Sequence, residues 1–367
     1  MSSIDGKMEK ASPENCKFFF RQLLLYLRVI IMNIRWKEII GAFVLGALCP
    51  AILFTMIDNN DNDMPQIKAE TTLATEITST TIAQTISETT VPAAFQLAVV
   101  MSNGEIKQMD VNDYLTAVVL REMPADFESE ALKAQAVVAR TYALRRAENG
   151  SKHTGAAVCT DSACCQGFIS QKEFINSGGT QQQLEKVRNA VVATTGQVLT
   201  YNGKLAEATY FSCSGGMTED AKAVWGSDVP YLQAVKSPGE EKATHYTDTI
   251  SFSTTNFAKK FGDKLTGAPE TWIESITYTD GGGVDKMKIC GKTYKGTQVR
   301  SLLGLRSTAF VITIVGDTVS ITTKGYGHRV GMSQYGADAM AVQGSDYVEI
   351  LTYYYGGTKI NQWPLTD

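Results

Sequence analysis

Residues 39–57, IIGAFVLGALCPAILFTMI, carry no charge and are apolar almost throughout. A helix of about 20 such residues crosses the ~30 Å hydrocarbon layer of a bilayer. Pro50 is tolerated better in a membrane helix than in a soluble one. Lys17, Arg21, Arg28, Arg35 and Lys37 precede the run, and DNNDND follows it. Basic flanks stay in the cytoplasm, so the segment reads as an uncleaved single-pass anchor in the cell membrane, with the amino terminus inside and everything after residue 58 outside. A cleaved signal peptide is the rival reading. The run is long for a signal core, lies far from the terminus and has no small-residue cleavage site after it. Residues 1–38 are basic, and Arg21, Arg28 and Arg35 share one helical face among apolar neighbours. That pattern suits the membrane interface and equally a solvated tail.

Residues 58–94 begin acidic and continue as TTLATEITSTTIAQTISETT. Such composition buries little apolar surface, which predicts a flexible stalk. The folded region is therefore 95–367, long enough for a substantial core. The formal net charge is −4, so no basic surplus points to nucleic acid.

Within the folded region, FQLAVVMSNGEIKQM reads as a hairpin turning at Asn103-Gly104. Asp110 can cap a helix through VNDYLTAVVLREM, with Tyr114, Ala117, Val118 and Leu120 buried. Pro124 interrupts. Glu128 or Ser129 opens a second helix through ALKAQAVVARTYALRRA, with Ala131, Ala134, Val138 and Tyr142 inward, and Asn149-Gly150 ends it. The chain to residue 196 reads as irregular. GQVLTYNGKLAEATYFS is a second hairpin, and ESITYT, KMKIC, AFVITIV and TVSITT are short strands. DYVEILTYYY gives a late helix. Helices early and late with strands between predict an α+β fold of mixed helices and antiparallel strands.

Glu122 stands apart from the other carboxylates of its segment, because Met123 and Pro124 separate it from the second helix. At a helix carboxyl end the dipole disfavours its charge, and Val118, Val119 and Met123 would desolvate it. Both raise its pKa, as a general acid needs near neutrality. Arg121 is adjacent but points about 100° away on a helix. From this segment alone a solvated or ion-paired glutamate is the simpler reading.

A second cluster is HTGAAVCTDSACCQGF, residues 153–168, where one of the three histidines stands near three of the seven cysteines. One imidazole and two thiolates make a chemically sound zinc set. His153, Cys159 and Cys165 are the first-choice ligands, with Cys164 as substitute, since adjacent cysteines do not easily serve one metal. Outside the cell, Cys159, Cys164, Cys165, Cys213 and Cys290 are equally candidates for disulfides. Spacing leaves metal and disulfide open.

Two further loops can wall a cleft. GYGHRVGMSQYGA, residues 325–337, holds His328, Ser333, Gln334 and Tyr335 among turn-permitting glycines. YFSCSGGMTED, residues 210–220, places Ser212, Ser214, Gly215 and Gly216 in one polar turn. Each alone is equally a structural turn. No P-loop, HExxH or Ser-His-Asp order occurs.

Taken in order, EMPADFESEALKAQAVVARTYAL, VCTDSACCQ, SGGMTE, YLQAV, GLRSTAF and GHRVGMSQYGA resemble the family of stage II sporulation protein D and the amidase enhancers, over about residues 96–361. The resemblance implies a lytic transglycosylase that cuts peptidoglycan glycan strands during spore engulfment, with the glutamate of the EMP motif, here Glu122, as acid/base. Arg140, Tyr142, Ser212, Ser214, Gly215, Gly216, His328, Ser333, Gln334 and Tyr335 are then the substrate-contacting candidates. It further implies a loop-organising zinc, location at the sporulation septum and engulfing membrane, and two partners: the engulfment amidase (stage II sporulation protein P) and the membrane protein stage II sporulation protein M. The chain departs from the family pattern at Cys164, where a histidine is common, at Arg329, where a glycine is common, and in reading SCSGG. Two other functions remain in view: a non-enzymatic glycan-binding scaffold that stimulates an amidase, and a zinc hydrolase built on the His/Cys cluster.

Overall fold

The computed structural model describes residues 95–263 and 265–365. The expected cytoplasmic segment (1–38), anchor (39–57) and stalk (58–94) lie outside them, and among the described residues no helix is long and apolar enough to cross a membrane. The described chain is α+β, with two large hydrophobic cores and a small third cluster of Leu144, Val198 and Leu205.

The larger core forms around one helix. Strands β1 (Gln96–Val100) and β2 (Ile106–Asp110) pair antiparallel across the Asn103-Gly104 turn, and β3 (Val158–Cys159) joins β1 in parallel. Asp110 accepts hydrogen bonds from the backbone of Asn112 and Asp113 and so caps α1 (Val111–Glu122), which ends at the extended residue Met123. After the Pro124 turn comes α2 (Ser129–Asn149), closed by Gly150 at positive φ. Ala131, Ala134, Ala136, Ala139 and Ala143 of α2 are all fully buried, which lets neighbouring backbones approach from several sides. Those neighbours are α1, α4 (Gln181–Ala193), β4 (Gln197–Tyr201), α8 (Gln334–Val342) and α9 (Tyr347–Tyr354). Ala131, Ala134 and Val138 face inward as expected, whereas Tyr142 is only half-buried.

The stretch expected to be irregular in fact holds α3 (Gln171–Asn176) and α4. Ser170 and Glu173 form a capping box for the first, Thr180 and Gln183 for the second. Leu184, Val187 and Val191 then bury one face of α4. Arg140, expected to bind substrate, lies inside this junction with 1% exposure. Its guanidinium donates to the carbonyls of Val191 (3.2 Å) and Gln197 (3.2 Å) and to the Asn112 side chain (3.3 Å). Burial pushes its pKa down to about 10, which leaves it cationic at neutral pH. The negative end of the α4 dipole thus faces a buried cation that has no carboxylate partner among the described residues.

Strand β4 pairs antiparallel with β5 (Lys204–Leu205) and β14 (Lys359–Gln362), and β6 (Tyr210–Phe211) pairs in parallel with β13 (Met332–Ser333). Between β6 and β13 the chain leaves to build a smaller lobe. This contains β7 (Thr247–Ser253), α6 (Thr254–Lys260), β8 (Ile273–Tyr278), β9 (Val284–Ile289), β10 (Lys292–Lys295), α7 (Gly296–Leu303), β11 (Phe310–Val315) and β12 (Thr318–Lys324). Two antiparallel sheets, ordered β10-β9-β8 and β11-β12-β7, enclose Phe257, Trp272, Met287, Val299, Phe310 and Ile321. Arg329 ties this lobe down: it donates to the carbonyls of Ser214 (2.8 Å), Met217 (2.8 Å) and Gly281 (2.6 Å) and pairs with Glu219 at 3.4 Å.

Replacing Arg140 with alanine removes the guanidinium bonds to the Val191 and Gln197 carbonyls and to Asn112 and leaves a cavity in the core. Arg140→Ala should lower stability by about 2–4 kcal/mol in urea unfolding. Unchanged stability would overturn this structural role for Arg140.

Candidate active site

The α1 carboxyl end, the loop after β3, strand β6 and the segment before α8 converge on a cleft of about 570 Å³. Glu122 lies in it because the chain turns extended at Met123, leaving the side chain of the last helical residue at a junction. The Gly167 N–H donates to Glu122 Oε1 at 2.6 Å. A β-carbon at residue 167 would come within 2.9 Å of that oxygen and 2.8 Å of the Arg121 side chain, so only glycine allows the approach.

Burial pushes the Glu122 carboxyl above its ordinary value; the Gly167 N–H, the side chains of Gln334 and Tyr210, and the Arg121 charge pull partly back. Arg121 therefore does not point away, as helical geometry predicted: it lines the same cleft. Behind the carboxyl runs a buried relay. Tyr114 donates to Gln166 Oε1 (3.1 Å), and Gln166 Nε2 donates to the Tyr210 hydroxyl (3.1 Å). The Tyr210 hydroxyl is pushed well above its ordinary pKa by burial and by Glu122, so it keeps its proton as a donor. Neither Tyr210, Gln166 nor Gly167 was picked out from sequence, although Tyr210 opens the YFSCSGG turn and Gly167 follows the cysteine pair.

Of the substrate-contacting candidates, Tyr142, Ser212, His328 and Gln334 line the cleft. Gln334 is 5% exposed, lines the cleft and sets its side-chain amide beside the Glu122 carboxyl. The others are placed elsewhere. The Ser214 hydroxyl and backbone N–H and the Gly215 N–H donate to buried Glu240, and the Gly216 N–H donates to Ser214. Ser333 is fully buried and caps α8 by accepting the Gly336 N–H. Tyr335 packs its ring against Phe127, centroids 5.0 Å apart. These six, Arg140 included, shape the walls rather than line the cleft, because their polar groups or rings already have partners in the fold.

The His/Cys cluster forms the wall on the side of Cys165. One donor atom from each of His153, Cys159, Cys164 and Cys165 lies within 4.8 Å of all the others. His153 Nε2 is 3.4 Å from Cys165 Sγ and 3.6 Å from Cys164 Sγ, and the adjacent sulfurs are 4.0 Å apart. Tetrahedral zinc with Zn–S near 2.3 Å and Zn–N near 2.0 Å sets edges of about 3.8 Å and 3.5 Å. A disulfide needs about 2.05 Å, and all five cysteines of the described region are free thiols. The Cys164 sulfur, expected only as a substitute, lies in the same cluster as His153, Cys159 and Cys165. The backbone N–H groups of Cys164 and Cys165 both donate to the Asp161 carbonyl, and this tight turn brings both sulfurs to one side.

Comparison with known proteins follows the same residues. Residues 101–201 match the family described as Stage II sporulation protein. The chain is 36% identical to stage II sporulation protein D of Bacillus subtilis (strain 168), over 88% of this chain and 95% of that protein. It is 41% identical to stage II sporulation protein D of Bacillus amyloliquefaciens, over 71% of this chain and 77% of that protein. It is also 32% identical to the amidase enhancer of Bacillus subtilis (strain 168), over 68% of this chain but only 40% of that protein. The chain belongs to the stage II sporulation protein D family.

His328 Nδ1 accepts the Val330 N–H at 3.1 Å. Burial and then the Arg300 charge bring its pKa down from 6.5 to about 4. A depressed histidine keeps its stability contribution above the unfolded value and loses it as pH falls from 6.5 towards 4. Wild type should lose about 2 kcal/mol more than His328→Asn across that window, allowing for the part of the ring that faces water. Parallel urea titrations check this, and equal losses would place the ring in solvent.

Proposed function

We propose that this chain is a membrane-anchored lytic transglycosylase of peptidoglycan, with Glu122 as its single acid/base. The observation that carries the reading is that Glu122 is the one carboxyl among the residues lining the cleft. Glycosidases that hydrolyse by inversion or retention use two carboxyls about 5–9.5 Å apart. A reaction whose nucleophile is a hydroxyl of the substrate needs one.

With its raised pKa, Glu122 enters the reaction protonated. It gives its proton to the bridging oxygen as the bond from C1 of N-acetylmuramic acid to O4 of N-acetylglucosamine breaks. The resulting carboxylate takes the proton of the muramoyl C6 hydroxyl as O6 closes on C1. The products are a 1,6-anhydro end and a free 4-hydroxyl, no water is consumed, and Glu122 ends protonated as it began. Gly167 holds Oε1 throughout, the Gln334 amide sits beside the carboxyl, and neutral His328 adds no charge to compete with the one that develops on the sugar.

The donor set fits zinc, held by His153, Cys159, Cys164 and Cys165. When bound, the metal would brace the loop that carries Gly167, two residues from its last ligand. The zinc-hydrolase alternative gains nothing from a site with four protein ligands, since catalytic zinc keeps a position open.

The relative named amidase enhancer favours a second reading, a glycan-binding scaffold that stimulates an amidase. The engulfment amidase (stage II sporulation protein P) and stage II sporulation protein M are the partners proposed here, at the sporulation septum.

Mass analysis of peptide-free glycan strands incubated with the full-length protein should show anhydro-muramoyl ends, and Glu122→Ala should reduce them by ~10²–10⁴-fold. Turnover should fall as pH rises through the raised Glu122 pKa. Persistence of anhydro ends in that variant would remove Glu122 as the acid; absence of products with faster cleavage by added amidase would select the scaffold. Stripping the metal with a chelator should lower the melting temperature and the rate together while the products stay anhydro. Hydrolytic products that vanish on chelation would instead identify a zinc hydrolase.

A further inference from the structure

Two exposed aromatic side chains flank the cleft without serving either core. Trp225 is 46% exposed and ends the short helix α5 (Ala221–Trp225), whose Ala221 is fully buried and whose Val224 packs on the main core. Gly226 in the left-handed conformation caps that helix through its N–H to the Lys222 carbonyl. Trp225 is thus fixed at its backbone, and its ring leans on His328, centroids 5.2 Å apart. On its other side His328 meets Phe211 at 5.8 Å. Phe211, His328 and Trp225 form a row that climbs from the buried cleft wall to the open surface.

Tyr326, 40% exposed, lines the cleft itself. The Arg306 guanidinium lies 5.1 Å from its ring centre and the His245 ring meets it edge-on at 5.3 Å. Arg306 is in turn held by Asp248 at 2.8 Å. Single exposed aromatics are ordinary on protein surfaces. These two differ in their setting: Trp225 leans on His328, which lines the cleft, and Tyr326 lines the cleft itself while packed against Arg306 and His245.

A β-linked amino sugar presents an apolar face of axial C–H bonds, with hydroxyls and acetamide around its edge. A fixed aromatic ring matches that face, and its stacking is insensitive to the edge substituents. We infer that Tyr326 and Trp225 are successive sugar-stacking platforms, Tyr326 within the cleft and Trp225 immediately beyond it. They extend the glycan site outward from Glu122 past His328, so the enzyme grips a strand of several sugars and not only the pair at the scissile bond. The inference rests on the glycan-cleaving reading above.

The test uses the full-length chain carrying Glu122→Gln and peptide-free glycan strands of graded length, with affinity measured by calorimetry. Trp225→Ala should weaken binding of long strands at least fivefold and leave a disaccharide unaffected, and Trp225→Phe should stay within twofold of the parent. Tyr326→Ala should weaken short and long strands alike. In the active background, Trp225→Ala should raise KM for long strands by the same factor with kcat within twofold. Tyr278→Ala, an exposed aromatic on the smaller lobe, controls for general surface effects. Unchanged binding and KM in Trp225→Ala, with cleavage by wild type intact, would overturn the platform and leave the role of Glu122 standing. Equal losses in Trp225→Phe and Trp225→Ala would overturn stacking in favour of indole-specific packing. Failure of the wild type to bind or cleave any strand would overturn both readings.

Discussion

The hydrogen bond from the Gly167 backbone to Glu122 is the contact on which the rest of the cleft depends. It joins a helix end to a loop far along the chain, and each side must be prepared. On the helix side, α1 stops because Met123 is extended ahead of Pro124, and proline disfavours a helical residue before it. On the loop side, the residue must lack a side chain, because a β-carbon would strike Glu122 and Arg121. Gln166 anchors the preceding peptide between Tyr114 and Tyr210, and Cys165 turns inward to the His/Cys cluster. A carboxyl kept largely from water yet holding one strong donor is what results. The desolvation that raises its pKa and the donor that fixes its position come from the same closure.

Much of the scaffold was legible in sequence because its signals are local. Asn-Gly turns, the Asp110 cap, the Pro124 break and the Asn149-Gly150 stop each act over a few residues, and each stands where expected. Helix α4 was missed although its capping box, Thr180 with Gln183, is local too; the preceding Gly178-Gly179 and the glutamine run masked the Leu184, Val187, Val191 spacing. Arg140 was misjudged for another reason. The resemblance placed it among the substrate contacts, and only the fold shows that carbonyls of α4 and β4 receive it. The joint placement of the paired cysteines was hidden in sequence, since the shared Asp161 carbonyl that turns both to one side is a backbone event. Of the cleft, residue types in motifs were readable; which polar groups the fold had already occupied was not.

Arg329 illustrates how a departure from family pattern is accommodated. Its backbone sits at φ 66°, a conformation costing a side-chain-bearing residue about 1–2 kcal/mol. Glycine would relieve that strain but would remove the guanidinium that meets three carbonyls and Glu219. Glu219 also accepts from Thr279 (2.8 Å) and the Gly283 N–H (2.9 Å) of the smaller lobe. A buried ion pair is weak evidence for stability by itself, because desolvation cancels much of the attraction. Here Arg329 satisfies carbonyls of both lobes and Glu219 accepts from the smaller one, so the pair fixes their junction beside His328 and the cleft.

That junction bears on the proposed ring-closing chemistry because the residues lining the cleft include one carboxyl and no second to correct a misplaced substrate. An enzyme with a catalytic water can tolerate some freedom in the sugar ring, since the nucleophile adjusts. A reaction in which the sugar attacks itself cannot: the C6 hydroxyl, C1 and the leaving oxygen all belong to the substrate, and the protein controls only how the ring is held and where one proton goes. Positioning must therefore come from walls fixed in advance. The proline break, the glycine approach, the tight turn of the His/Cys loop and the two-lobe clasp each remove freedom from a surface that touches Glu122 or its neighbours. Rigid placement of a single acid is the arrangement that an intramolecular ring closure demands of its catalyst.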